Sequence, residues 1–340
     1  MRRRSVLCAL VTTLVLAVAP AGAAKSTSWA QPQIKAVVTA GLMAPDTASF
    51  RPDDLLTRGA LEELVAGLTQ ATPVTPANPG AKVTVAGLDA RLVNALGLSA
   101  TARLFTEGAR AAGLAVPARF GNEATARLLG LRTNHPASQD ELELLPGDPA
   151  TRAETAFSAA KVLRFSGWET QYARDAAATF VLPALTPWQK RILTTAFRFI
   201  GYPYIWGGES ENPESPFGHQ ARGGFDCSGF VWRVYKLEAY PSSGTLAGTL
   251  QGRTTYAMSG EVPKTKRIPY AKLQPGDIVF FGHGPASKPA QIGHMGIYVG
   301  GGWFVHSSGY GVALAQMTSG WYRNAFAWGR RPLAEAGLTA

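Results

Sequence analysis

The sequence is poor in cysteine and in charged residues. It contains 2 cysteines in 340 residues, which excludes a disulfide-rich scaffold and a four-cysteine zinc site. Charged residues make up 16% and hydrophobic residues 46%, a balance that excludes a largely disordered chain. No H-E-x-x-H or G-x-S-x-G pattern occurs, so the usual signatures of a zinc peptidase and of a serine hydrolase are missing. Beyond the N-terminus, no apolar run is long enough to span a bilayer.

The N-terminus has the features of a signal peptide over residues 1–24. Arginines at 2–4 form a positive start, an apolar stretch follows, and Ala-Gly-Ala at 21–23 fits a cleavage site. The alternative is a membrane anchor, but the apolar run is short for a spanning helix. Cleavage would remove Cys8 and leave Cys227 as the single cysteine of an exported protein. Such a cysteine is intermolecular, buried and inert, or a working thiol.

Charge is distributed unevenly along the chain. The formal net charge is +10; residues 25–186 contain 15 basic and 15 acidic residues, whereas residues 187–340 contain 15 and 8. The asymmetry indicates two units with different partners. The basic residues are scattered, which disfavours nucleic acid, and an exported protein meets anionic cell-wall polymer instead.

The first half shows helical apolar spacing and a repeat. Apolar residues recur three and four positions apart between residues 31 and 165, which predicts an all-α region. The pattern Pro-x-Asp-x-x-Thr-Arg occurs at 52–58 and again at 146–152. Proline and aspartate form a turn, and the threonine caps the helix that follows. We interpret three prolines between 73 and 79 as a short linker or turn.

The repeat resembles the start of S-layer homology modules, which are helix-loop-helix units that bind anionic secondary cell-wall polymers. The resemblance covers roughly residues 31–165, although a middle copy at about 83–114 lacks the turn pattern. It implies Arg58 and Arg152 as candidate polymer ligands. The alternative is a helix cap without a binding role.

Cys227 lies at the predicted start of a helix. Its flanks are polar and glycine-rich, and apolar residues at helical spacing follow from Phe230. The dipole and the free N–H groups of a helix N-terminus stabilise a thiolate. The alternative is a buried, inert cysteine. A nucleophilic thiol needs a base, and the base needs a residue that orients it.

Two predicted strands joined by three glycines carry the candidate bases. If the connection is residues 300–302, residue 296 faces residue 306, and His294 and His306 become diagonal neighbours on one face. A two-residue turn would put them on opposite faces, so an odd-length connection or a bulge is required. A metal site formed by His283 and these two histidines is the alternative, but the tight pairing of zinc ligands is missing. We expect no metal and no cofactor.

The second half resembles the NlpC family of papain-like cell-wall cysteine peptidases over roughly residues 187–333. The matching blocks are Y-I-W-G-G at 204–208, D-C-S-G-F at 226–230, L-Q-P-G-D-I-V-F-F at 273–281, G-H-M-G-I-Y-V-G at 293–300 and F-V-H at 304–306. The resemblance implies an α+β, papain-like catalytic domain, in which a helix carrying the cysteine packs on an antiparallel sheet carrying the histidines.

The resemblance also implies roles for individual residues. Cys227 is the expected nucleophile, His294 the base and His306 the third member of the triad. The expected substrate-binding residues are Tyr204, Asp226 and Ser228. The implied reaction cleaves amide bonds in peptidoglycan stem peptides, in many members between D-glutamate and the diamino acid.

Two other functions use the same residues differently. An amidase or acyltransferase would act on another wall amide or ester through the same thiol, and a non-catalytic wall-binding protein would carry a decayed site. For the whole chain we predict a signal peptide at 1–24, a helical wall-targeting region at 25–183 and a peptidase domain at 184–340. The mature protein is expected to be secreted and associated with the cell wall, with no membrane span and no nucleic-acid partner.

Overall fold

The computed structural model describes residues 28–338 apart from 216, 217, 220 and 221. The predicted signal peptide therefore lies outside the described residues. No helix within them combines the length and the apolar character needed to cross a membrane.

The N-terminal part is helical, as the spacing of apolar residues predicts. Its elements are α1 (Gln31–Thr39), α2 (Arg58–Thr69), α3 (Val85–Ala95), α4 (Ser99–Ala111), α5 (Phe120–Leu128), a 3-10 helix (Ala137–Leu142), α6 (Arg152–Val162) and α7 (Trp168–Ala178). The hydroxyl oxygens of Thr57 and Thr151 accept hydrogen bonds from the N–H groups of Ala60 and Glu154, so both repeats cap a helix.

The segments that lead into α2, α3 and α6 close a ring of backbone hydrogen bonds. The N–H of Leu56 donates to the carbonyl of Ala150 at 2.8 Å, that of Ala150 to Val83 at 2.8 Å, and that of Val83 to Leu56 at 3.0 Å. Each segment therefore contacts the other two.

The ring shows that the repeat has a third copy. Thr84 caps α3 as its counterparts cap α2 and α6, and Pro79 precedes it by the same spacing as Pro52 and Pro146 precede theirs. Of the two interpretations given for these prolines, a linker or a turn, Pro79 fits the turn. The copy is hard to see in the sequence because Ala81 stands at the position of the motif aspartate.

The C-terminal part begins with α8 (Pro187–Arg198), which Thr186 caps through a capping box. The remaining helices are α9 (Cys227–Trp232), a π-helical turn (Arg233–Leu237), α10 (Thr255–Gly260), α11 (Gly320–Ala325) and α12 (Pro332–Glu335), with short 3-10 helices at Leu246–Gly248, Lys264–Lys266, Tyr270–Lys272 and Pro289–Gln291. Short strands β1 (Glu209–Ser210) and β4 (Gly224–Phe225) pair with each other, as do β2 (Glu214–Ser215) and β3 (Gly218–His219).

A five-stranded antiparallel sheet forms the centre of this part. Its order is β8-β7-β6-β5-β9, with β5 (Ile278–Phe281), β6 (His294–Gly300), β7 (Trp303–Ser308), β8 (Gly311–Gln316) and β9 (Phe326–Arg330). The short helix α9 packs against β6 and β7. The predicted α+β arrangement, with the cysteine helix on the histidine-bearing sheet, is confirmed.

The two parts of the chain share one hydrophobic core. Phe105 of α4 lies edge-on to the ring of Trp303 in β7, with centroids 5.7 Å apart, and Phe120 of α5 stacks on Phe197 of α8 at 4.9 Å. The guanidinium of Arg127 in α5, itself buried, donates to the carbonyl oxygen of Tyr310 at 2.6 Å and to that of Gly201. The helical part therefore supports the Gly201 turn and the β7–β8 hairpin, which are hydrogen-bonded to each other.

Candidate active site

Cys227 is the first residue of α9, as the sequence predicts. Asp226 is the N-cap, and its carboxylate accepts a hydrogen bond from the N–H of Gly229. Cys227 forms no disulfide, and the residue as a whole is half-buried. Packing of α9 against β6 brings the backbone N–H of Met295 to the sulfur, next to His294 in the chain.

Opposing effects set the pKa of this thiol. Burial raises the pKa of Cys227 to about 12 and the charge of Asp226 adds to the rise, while N–H groups of Met295, Ser228 and Cys227 lower it. The N–H groups expected at a helix N-terminus are therefore present, but they do not outweigh burial. The thiol is protonated near neutral pH.

The sheet brings His294 and His306 into direct contact. Their Nε2 and Nδ1 atoms lie 2.8 Å apart, and the ring planes are inclined by 85°. Ile297 pairs with Val305, which is the register that places residue 296 opposite residue 306. The connection contains a bulge around Val299, and this bulge keeps both histidines on one face.

Both imidazoles are neutral in the folded protein. Burial lowers the pKa of His294 to about 4, and burial together with the neighbouring His294 lowers the pKa of His306 well below its usual value. The ring of Phe304 stacks on His306 with centroids 4.6 Å apart, and the ring of Tyr322 lies 5.3 Å away. These aromatic rings help to bury His306, which is 3% exposed, whereas His294 keeps part of its surface exposed. A hydrogen bond between two neutral imidazoles has one donor and one acceptor, so each ring fixes the tautomer of the other.

A polar network adjoins the nucleophile. Ser228 donates to the Asp226 carboxylate at 2.9 Å, and Arg253 donates to Ser228 at 2.8 Å, to Asp226 at 3.2 Å and to Glu209 at 2.6 Å. Burial raises the pKa of Tyr204, and the negative charges of Cys227 and Asp226 raise it further, which places its phenol near both groups. Asp226 and Ser228 adjoin Cys227 in the chain, and Tyr204 is close enough to interact with Cys227 electrostatically.

Two of these residues cannot be found from the sequence. Arg253 and Glu209 belong to none of the sequence motifs above, and the fold brings them together across 44 positions. The spacing between them along the chain carries no signal.

The two candidate polymer ligands lie in the helical part, away from this network. The guanidinium of Arg152 donates to the backbone oxygens of Phe50 and Met43 at 2.8 and 2.6 Å and lies over the ring of Phe50. Arg58 is exposed at the start of α2. Among the residues that the structure describes, no group of three or more His, Cys, Asp or Glu side chains is arranged to hold a metal ion.

Comparison with known proteins agrees with this geometry. Residues 201–331 match the NlpC/P60 family. Residues 23–61 match the S-layer homology domain, which leaves the copies at 79–84 and 146–152 outside the matched segment. Both resemblances inferred from the motifs are confirmed.

Three similar proteins illustrate the match. A bifunctional muramidase/DL-endopeptidase, CwlT, from Bacillus subtilis is 35% identical over 134 residues, 39% of this chain and 33% of that protein. A gamma-D-glutamyl-L-lysine dipeptidyl-peptidase from the same organism is 32% identical over 128 residues, 37% of this chain and 34% of that protein. A solved NlpC/P60 family protein from Bacillus cereus is 26% identical with a TM-score of 0.33, covering 44% of this chain and 41% of the other. This chain thus spans about a third of the two curated relatives.

Proposed function

We propose that this chain is an exported cysteine endopeptidase that cleaves amide bonds in the stem peptides of peptidoglycan. The observation that carries the proposal is the 2.8 Å contact between His294 and His306. The strand that carries His294, β6, also brings the backbone N–H of Met295 to the sulfur of Cys227. A thiol, an adjacent imidazole and a group that orients the imidazole are the parts that nucleophilic amide cleavage needs. Two similar proteins are named a bifunctional muramidase/DL-endopeptidase and a gamma-D-glutamyl-L-lysine dipeptidyl-peptidase, which supports a peptidase.

The tautomers follow from the roles. If His294 accepts the thiol proton at Nδ1, its own proton resides on Nε2, and that N–H donates to Nδ1 of His306. His306 then has to carry its proton on Nε2. In this arrangement His306 is a positioning residue, which holds the base in the reactive tautomer and stabilises the imidazolium as it forms.

The reaction then starts from an uncharged Cys227 thiol and an uncharged His294 imidazole. The Cys227 proton moves to His294 as the sulfur attacks the amide carbonyl, and His294 next protonates the leaving amine. Water, deprotonated by His294, hydrolyses the thioester. The N–H groups of Cys227 and Ser228, which already point at the sulfur, are the proposed donors to the oxyanion.

The substrate bond that fits best is the one between D-glutamate and the following diamino acid. One relative is named for cleavage after a gamma-D-glutamyl group. The Asp226 carboxylate and the Tyr204 phenol flank the nucleophile and offer an anionic acceptor and a hydroxyl to the peptide on one side of that bond. We propose that they bind the part of the stem peptide that precedes the cleaved bond.

For the helical part we propose binding of anionic wall polymer. A groove at the start of α2 and α3 is lined by Arg58, Lys82 and Arg91. Arg91 is paired with Glu62 at 2.6 Å, so Arg58 and Lys82 carry the positive charge that a polymer can use. Such binding would keep the peptidase near its substrate and raise its effective concentration.

Digestion of defined muropeptides tests the peptidase. The wild-type protein should release fragments with a new D-glutamyl carboxyl end and a new diamino-acid amine, identified by mass spectrometry, and Cys227→Ala should release none. Identical fragments from both proteins would refute the thiol mechanism. New ends at any other amide or ester would favour the amidase or acyltransferase alternative instead.

A further inference from the structure

The catalytic part carries a second cluster of positive charge, away from Cys227. A cleft, here called the cationic cleft, is lined among others by Lys264, Arg267, Pro285, Lys288, Pro289 and Trp328. Within the described part of the chain, no acidic residue lines it, and no ion pair joins its three cations to a carboxylate. Lys264 and Lys288 are exposed. Uncompensated cations that converge from separate segments attract an anionic ligand.

The floor of the cleft holds a polar group without a partner. Trp328 is 2% exposed, and its indole N–H has no hydrogen-bond acceptor among the described residues. Ile268 forms a backbone bridge with Gly329, so Arg267 is held over the Trp328 ring with its guanidinium carbon 3.5 Å from the centroid. Less than 1 Å² of this nitrogen is exposed, so the three cations, and not the indole, are the groups that a ligand in the cleft can contact.

The walls of the cleft are built before any ligand arrives. Ser287 accepts a hydrogen bond from the N–H of His283 at 2.8 Å and donates to the carbonyl of Gly284 at 2.7 Å, which fixes the loop between β5 and β6. Pro285 and Pro289 restrict the backbone of the same loop. A preformed site loses little conformational entropy when it binds.

We propose that the cationic cleft binds the phosphodiester groups of an anionic cell-wall polymer. Lysine provides a point charge that tolerates varied phosphate geometry, and arginine adds directed N–H donors. Because the cations come from two segments along an open cleft, a chain with repeated charges matches them better than a single anion. The proposal gives a role to three of the basic residues of the catalytic part and does not depend on the peptidase reaction.

The position of the cleft gives this binding a consequence. Its lining loop leads directly into β6 and His294, and Thr255 fastens that loop by donating to the carbonyl of Ile292 at 3.0 Å. The cleft and the strand that carries His294 are therefore joined by one short segment of chain. A polymer in the cleft would hold the catalytic part itself against the wall, in addition to any contact made by the helical part.

Titration calorimetry with poly(glycerol phosphate) of defined length, at low salt, tests the proposal on the full mature protein. The variants are Lys264→Gln/Lys288→Gln, which leaves the Arg267–Trp328 stack intact, and the same pair with Arg267→Gln added. The matched control removes three exposed cations elsewhere, at Lys35, Arg164 and Arg174. We expect the cleft variants to bind about tenfold more weakly than the control, with a smaller salt dependence.

Two results would overturn the proposal. One is equal affinity of the cleft variants and the control. The other is that a polyglutamate chain of equal charge binds more tightly than the phosphate polymer and loses affinity in the same variants. An acidic protein would then be the ligand. Cleavage of a soluble muropeptide, measured in parallel, should be the same in all these proteins; absence of cleavage would refute the peptidase without affecting the binding result.

Discussion

At the residue scale, burial sets the protonation of the reacting groups. The neighbouring N–H groups favour a thiolate at Cys227, yet burial keeps the thiol protonated and His294 unprotonated, with pKa values of about 12 and about 4. A preformed thiolate–imidazolium pair is thus not the resting state. The reactive charges arise as the proton moves, in a pocket walled by Phe304 and Tyr322.

The first prediction concerns pH. A base must be unprotonated, and the pKa of His294 is about 4, so kcat/KM should stay level from about pH 9 down to pH 5 and fall only below that. The measurement is kcat/KM on a soluble muropeptide across this range. An acid limb centred on the ordinary histidine pKa of about 6.5 would show a solvated imidazole and contradict the burial argument.

Acid unfolding has to be separated from this titration. His294 has a lower pKa folded than unfolded, so the unfolded chain binds more protons between about pH 6.5 and pH 4, and the folded state loses stability as the pH falls through that range. Circular dichroism at each pH identifies the points at which the protein remains folded. Only those points enter the activity profile.

The second prediction concerns His306. His306→Ala removes the acceptor for the Nε2–H of His294, and we expect kcat to fall on the order of 10²-fold with little change in KM, less than the loss in Cys227→Ala. His306→Asn places an amide oxygen near the position of Nδ1 and should recover part of the rate. Equal activity of the Ala and Asn variants would show that acceptance of this hydrogen bond is unimportant.

At the element scale, the hairpin of β6 and β7 aligns the two histidines. Because the hairpin has a bulge around Val299, the rest of the two strands pairs so that residue 296 lies opposite residue 306. Glycines at 300, 301 and 302 all have positive φ, of 107°, 59° and 80°, which other residues adopt only with strain. The chain reversal and the catalytic alignment therefore depend on the same glycines.

The third prediction concerns Gly296. An added Cβ there would lie 2.6 Å from the carbonyl oxygen of Val305 and 3.0 Å from the Cβ of His306, so Gly296→Ala should displace His306. We expect a loss of activity of at least about tenfold and a destabilisation of roughly 1–3 kcal/mol in urea unfolding. Gly309→Ala is the control, because its Cβ would meet nothing within 4 Å. Similar losses in both variants would contradict the steric argument.

At the scale of the whole molecule, the helical part and the catalytic part support each other. Arg127 of α5 is buried, lies 3.7 Å from the Glu123 carboxylate and donates to the carbonyls of Gly201 and Tyr310. Gly201 begins the segment that carries Tyr204 toward Cys227. The helical part thus supports one side of the proposed active site.

The fourth prediction follows from this junction. Arg127→Met leaves two carbonyls and the Glu123 carboxylate without their partner, and it should lower the free energy of unfolding by about 3 kcal/mol. Calorimetry should show the wild type unfolding in one transition because the core is shared. Arg164→Met, at an exposed position, is the control. An unchanged stability of the Arg127 variant would show that the junction does not hold the two parts together.

Local patterns in the sequence predicted much of this arrangement. Alternation along two strands placed His294 and His306 on one face, and the structure supplied the bulge that this arrangement requires. Threonine caps at the two repeats were equally readable, because capping depends on residues three positions apart.

The missed features depend on contacts distant in sequence. Arg253 reaches Glu209 across 44 positions, and no local pattern reports such a pair. The pKa of Cys227 depends on how deeply α9 packs, which the residues around it do not reveal. The third repeat lacks the marker aspartate, and the backbone ring, together with the Thr84 cap, identifies it.

The ring in the helical part also dictates an order of folding. Its last member, Ala150, emerges about a hundred residues after the first, Leu56, so closure carries the entropic cost of a long loop and waits until the third copy is available. Until then, backbone groups just before α2 and α3 lack the hydrogen-bond partner that Ala150 provides. A chain that ends before residue 150 cannot close this ring, and we expect proteases to cleave its helices more readily.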